Sequence, residues 1–427
     1  MDLQPLFGSL RTVFFIAISY WWLYLPVLLS VGVYEIWKSY TLTRYLVSLK
    51  WVVLEIKPPP DVQKSPKIAE NFFSGLHGVY AKPLSGKKQF FEGKVPDWYS
   101  FEIASNEGDV RFYIRTTEAN RNIVETQIFA QYPDAEITLV EDYMARLPAN
   151  VLTDGYDLFG AELVFTKSNA YPIKTYPFFE EESGKDEFQR TDPLAPLAEV
   201  LSTLGSGEFM WMQYVARPTG GGWAEESQKE VDKIIGKTPK PKKPNMLNRF
   251  LDGVFDLLGF SGKPSEKKEE KEFSIQKLTT GQKVTLEQIE NKAFKLAYKV
   301  TPRLLYVARK DVFNRSRISN VIGMFKQMYS NNLNTFKPNG DTGTGPDGYF
   351  AWLFPSNNGF FKAQLEFKRK AKMYRATRGR DFSKLVILST EEMATLFHLP
   401  GINVKAPFFP RVEAKKSQPP AGLPIAG

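Results

Sequence analysis

Residues Thr12 to Tyr34 run 23 positions without a charge, between Arg11 and Glu35. At about 1.5 Å per residue, such a run as a helix covers a hydrocarbon core of roughly 30 Å. The expectation is a single transmembrane helix within residues 12–37 behind a short tail, 1–11. Trp21, Trp22, Pro26 and Tyr34 are its anchor and kink positions. A break at Pro26 into two re-entrant arms is the other reading. A signal peptide fits poorly, because bulky Tyr34, Ile36 and Trp37 stand where small residues are needed for cleavage. Lys38, Arg44, Lys50 and Lys57 follow the run against Glu35 and Glu55. That bias predicts a cytoplasmic-membrane protein with the bulk of the chain on the cytoplasmic side.

The remaining roughly 390 residues are long enough for two or three domains. The pattern is α+β. WVVLEI (Trp51–Ile56) reads as a strand, and Lys67–Tyr80 has helical apolar spacing. YSFEIAS and DVRFYIRTT alternate around Asn106-Glu107-Gly108-Asp109. A helix near 118–132 and a strand at 135–142 follow. AELVFT (161–166) and GEFMWMQYVARP (207–218) flank a helix near 193–204. AFKLAYKV and RLLYVARK then read as two strands before a helix near 315–329. The repeated grammar predicts two ferredoxin-like modules, 38–218 and 282–414. Between them, 219–281 has the composition of a disordered linker, interrupted by an amphipathic helix at 246–260. Residues 415–427 form a proline-rich disordered tail.

Catalytic chemistry finds little support. Ser85-Gly86-Lys87-Lys88 and Ser261-Gly262-Lys263-Pro264 lack the earlier glycine and the following Ser or Thr of a phosphate loop. There is no cysteine, and His77 and His398 are the only histidines. A Cys/His zinc site cannot be built, and a Ser-His-Asp triad would have to use one of these two. Carboxylate pairs such as Glu180-Glu181 and Glu391-Glu392 are adjacent and solvated by default. No catalytic residue, metal or cofactor is expected, and the chain reads as a non-enzyme.

A basic segment is the better candidate. The formal net charge of +9 is modest, so local patches matter more than the overall field. Phe361 to Arg380 carries eight Lys or Arg against one Glu. Lys368, Arg369, Lys370, Lys372, Arg375 and Arg378 could neutralise phosphates of DNA or lipid. Phe361, Phe367 and Tyr374 interleave with them in a way that suits stacking on unpaired bases. A solvated helix face is the bland alternative.

Several stretches together resemble a family. FEIASNEGDVRFYIRTTEANRNIVETQIFAQYPDAEITLVEDY, LTTGQKVTLEQIENKAFKLAYKVTPRLLYVARKDVFNRSRISNVIGMFKQM, LSTEEMATLFHLPGINVKAP and VEAKKSQPPAGLP occur in this order. They are similar to the region preceding the motor in type IV secretion coupling ATPases and HerA/FtsK-like conjugative ATPases. The resemblance implies a membrane-anchored, non-catalytic scaffold of a conjugation-like DNA-transfer machine. It would dock a separate P-loop ATPase or its DNA substrate, and it could form a homo-oligomer. A free-standing membrane-bound protein that binds nucleic acid or anionic lipid is the alternative.

Overall fold

A computed structural model describes residues 19–59, 65–80, 85–182, 192–236, 278–344 and 359–401. Its strands are β1 (Trp51–Lys57), β2 (Tyr99–Asn106), β3 (Asp109–Thr117), β4 (Glu136–Val140), β5 (Tyr156–Phe165), β6 (Glu208–Thr219), β7 (Ala297–Arg309), β8 (Phe336–Pro338) and β9 (Val386–Ser389). The helices are α1 (Trp21–Ser48), α2 (Lys67–Leu76), α3 (Gly86–Glu92), α4 (Arg121–Gln131), α5 (Tyr176–Glu182), α6 (Ala195–Ser202), α7 (Ala224–Ile234), α8 (Thr280–Phe294), α9 (Arg315–Gln327), α10 (Gly359–Gly379) and α11 (Thr390–Leu396). The chain divides into two units. The smaller comprises Met1–Trp51, Tyr80–Asp97 and Thr117–Ala119, and the larger is the rest.

In the larger unit the strands form a single sheet in the order β4-β1-β3-β2-β6-β7-β5-β8, with β9 also paired to β7. The β2–β3 hairpin turns on Glu107 and Gly108, both with positive φ, as a tight two-residue loop requires. A Cβ at Gly108 would meet the Leu204 carbonyl at 2.8 Å, so this turn also needs the glycine's missing side chain.

Strict alternation gives the sheet two unlike faces. On one, Phe101, Ile103, Phe112, Ile114, Met212 and Tyr214 join one core with α2, α4, α6, α9 and α11. On the other, Trp211, Leu305 and Val307 pack with Met373 and Tyr374 of α10. That second face also carries a polar row. Tyr113, Glu102, Gln213, Arg303 and Glu162 stand directly opposite one another on five successive strands.

The two-module expectation is corrected here. Strands from both supposed modules share one sheet, because β6 and β7 pair along twelve positions from Glu208↔Ala308 to Thr219↔Ala297. The two strands expected between 293 and 310 are one continuous strand that runs through Pro302. The linker therefore separates immediate neighbours in the sheet. The helix expected at 246–260, most of the linker, and the 1–11 and 415–427 tails lie outside the described residues.

The transmembrane expectation is corrected as well. Among the described residues no helix is long and apolar enough to cross a membrane. The helix α1 begins at Trp21 and continues through Glu35, Lys38 and Arg44. Its uncharged portion, Trp21 to Tyr34, is about 14 residues or roughly 21 Å, short of the roughly 30 Å required. Residues 12–18 of the expected span lie outside the described residues. Pro26 does not break the helix into two arms, and Ser30 Oγ donates to its carbonyl at 2.7 Å. Trp21, Trp22 and Pro26 are exposed, while Tyr34 stacks on Phe90 at 5.4 Å. Trp37 Nε1 donates to the Phe90 carbonyl at 2.9 Å, fastening α3 to α1. Gly93 caps α3 with φ +64, and a Cβ there would lie 2.1 Å from the Thr41 carbonyl oxygen. The single-span, cytoplasmic-membrane placement and its orientation lose their basis.

Candidate nucleic-acid interface

The basic segment is α10, and its inner face is fixed by the polar row. Helix ends leave carbonyls without intrahelical partners. Here the sheet supplies donors. Gln213 Nε2 reaches the Thr377 carbonyl at 3.2 Å, and Arg303 Nη1 reaches that of Ala376 at 3.0 Å. Arg303 Nη2 also donates to the Asp381 carbonyl at 2.8 Å and to Glu162 at 3.0 Å.

Just past the helix end, Arg380 folds under it. Its Nε and Nη2 grip the Glu102 carboxylate at 3.0 and 3.1 Å, and it also pairs with Asp142. Tyr143 completes the cluster with a 2.7 Å bond to Glu102. Arg380 adopts φ +55, a left-handed position usually given to glycine after a helix. The buried ion pairs hold an arginine where backbone preference alone would not.

Charge states in the cluster follow from contact. Burial favours the neutral guanidinium of Arg380, but Glu102 and Asp142 outweigh it and raise its pKa well above the ordinary value. Burial likewise pushes the Asp142 carboxyl up, yet the Arg380 guanidinium prevails and holds it below the usual range. Half-buried Arg115 is lowered to about 10 by partial desolvation and by the nearby Arg380 charge.

The six basic residues singled out from the sequence separate into three environments. Lys370 is consumed by Asp157 at 2.6 Å and Glu366 at 2.8 Å. Arg378 is half-buried over the Tyr374 ring, 5.8 Å from its centroid, and Arg369 is half-buried too. Lys368, Lys372 and Arg375 are exposed on the side away from the sheet. Neither lysine has a partner among the described residues, and Arg375 bonds only to the helix carbonyl of Ala371. Their spacing of four and three places them on one stripe about 10 Å long.

Of the interleaved aromatics, Phe367 is exposed. Tyr374 is buried and donates to the Pro148 carbonyl at 2.8 Å, and the Phe361 side chain lies outside the described ones. His398 is buried between the Ala394 carbonyl and Asp192, a structural setting. Among the described residues no group of three His, Cys, Asp or Glu could hold a metal ion.

Sequence reasoning missed the cluster beneath α10. Arg380 was counted with the basic run, and Glu102 passed as an ordinary strand residue. A signal existed: Ser100 and Glu102 alternate with Tyr99, Phe101 and Ile103, so a carboxylate stands in the middle of a covered strand.

The fold and this surface define an α+β protein with one antiparallel sheet and an outward basic stripe on the helix that closes one face. The chain belongs to the family described as "Domain of unknown function (DUF8128)", which matches residues 46–408. None of the curated proteins matches it. The type IV secretion and conjugation setting expected from the resemblance receives no support from this family match.

Proposed function

We propose that this protein is a non-catalytic adaptor that contacts DNA through the α10 stripe, serving a separate P-loop ATPase. One observation carries the DNA part: Lys368, Lys372 and Arg375 are three like charges, exposed and in line on a helix whose other face is clamped to the sheet. A fixed row of cations meets a polyanion without the ordering cost of a mobile tail. The resemblance of residues 101–143 and 278–328 to the region preceding a motor supports the ATPase as partner.

The test is fluorescence anisotropy of labelled DNA across 50–200 mM salt. Three phosphate contacts give a slope of log K against log salt of about −2 to −3. Replacing Lys368, Lys372 and Arg375 by alanine should flatten that slope, whereas Lys370→Ala should leave it unchanged. An unchanged slope in the triple variant would sink the proposal. Retention of a P-loop ATPase by the tagged chain, identified by mass spectrometry, tests the partner separately.

A further inference from the structure

A cavity of about 240 Å³ opens between β5, α9 and α10. Its walls include Phe159, Phe313 and Ile318, and its rim includes Arg315, Ser319 and Glu366. The two phenylalanines are half-buried, and Phe313 is backed by the Tyr306 ring at 5.2 Å, so it presents a supported aromatic surface. Arg315 and Ser319 are exposed and have no partner among the described residues. An aromatic wall with hydrogen-bonding groups at its edge is suited to a flat heteroaromatic ring.

The position of this cavity on α10 is informative. Glu366 and Lys370 line it, whereas Lys368, Lys372 and Arg375 lie across the helix. Arg369 projects between the two sides, and its buried Nε has no partner. An α-helix with side chains is about 10–12 Å wide, so stripe and cavity are one helix width apart.

We propose that this cavity receives one unpaired base of a nucleic-acid strand, several nucleotides along from those that meet the α10 stripe on the opposite side of the helix. The inference rests on the DNA-contact reading above and narrows it to single-stranded nucleic acid. A base inside a duplex is stacked and paired, and cannot enter a pocket without first leaving the helix.

The experiment compares a fluorescein-labelled single strand, its duplex, and the same single strand with abasic central positions. Wild-type protein should bind the intact single strand most tightly. Ser319→Trp fills the cavity from an exposed position, and Ser319→Glu sets a negative charge at its rim. Both should weaken single-strand binding about 5- to 150-fold, the range for one stacked base, while leaving duplex binding and the salt slope unchanged. Thermal melts confirm that the variants remain folded. If single strand, duplex and abasic strand bind alike and neither variant changes them, the cavity inference fails while the stripe stands. If the wild-type protein binds none of them, the DNA-contact reading fails and takes this inference with it.

Discussion

The two faces of the sheet hold their helices by different physics. The face bearing Phe101, Phe112 and Met212 is mostly dry, and its helices are retained chiefly by apolar burial at about 25 cal/mol per Å². The buried Lys292–Glu392 pair and the contacts of Lys295 with Glu70 and Glu391 are added at α2 and α11. The face beneath α10 combines a smaller apolar cluster with a row of buried charges and amides. Apolar packing is non-directional and tolerates small shifts. A guanidinium gripping a carboxylate at 3.0 Å while a neighbour caps the helix end tolerates almost none. The helix with the outward cations is thus held by directed contacts at its C-terminal end, as an extended charged ligand demands.

The largest expected effect breaks that comparison directly. Arg380→Ala strands the Glu102 carboxylate and should destabilise by about 3–5 kcal/mol in urea unfolding. Phe101→Ala on the dry face should lose a similar 3–5 kcal/mol through a cavity. The two faces separate on repair. Combining Glu102→Leu with Arg380→Met removes the fully buried pair and leaves only the partly exposed Asp142 without its cation. It should recover most of the loss, because well-packed apolar replacements of buried pairs are often neutral. If that double variant is as unstable as Arg380→Ala, ion pairing is not what holds α10.

A smaller effect sharpens the dry face. Ser389 and Glu392 form a reciprocal capping box at the start of α11. Ser389→Ala should destabilise by about 1 kcal/mol while leaving DNA binding unaltered. A change in the salt slope of binding would mean that the faces are coupled.

The smallest effect is the pH response. The Asp142 carboxyl is held below its unfolded value of 3.8. Its contribution is therefore complete above that pH and is lost as pH falls through the lower folded value. Urea midpoints should decline as pH drops below about 4, and Asp142→Asn should flatten the decline. A wild-type decline that the substitution leaves intact would assign acid sensitivity elsewhere, with the Asp192–His398 contact the first place to look.

Local structure was legible in the sequence wherever short-range chemistry decides it. The β2–β3 hairpin announced itself through Glu107-Gly108, whereas Glu392, read as solvated beside Glu391, is buried against Lys292 at 3.0 Å. Pairing between distant segments was not legible. Pro302, with Lys299 and Arg303 beside it, divided β7 into two apparent strands, although Pro302 sits opposite Tyr214 inside one continuous ladder. The polar linker suggested two modules because composition marks where chain is polar, without saying whether its ends return to the same sheet. Of the candidate site, the helix and its basic character were readable, but the sorting of its cations was not. Lys370 and Arg380 differ from Lys368 in what faces them, namely Asp157 and Glu102 from remote strands and Asp142 from the turn after β4.

Strand β7 has a consequence for how the protein is made. It pairs with β6, β5 and β9, so the centre of the sheet cannot close before it exists. It leaves the ribosome roughly 80 residues after β6, which at about 5–20 residues per second is a wait of some 4–16 seconds. During that interval the apolar edge of β6, from Phe209 to Val215, is complete but unpaired on one side. Nascent chains halted between residues 220 and 296 should therefore be the form most dependent on chaperones, and shortening the linker should relieve that dependence.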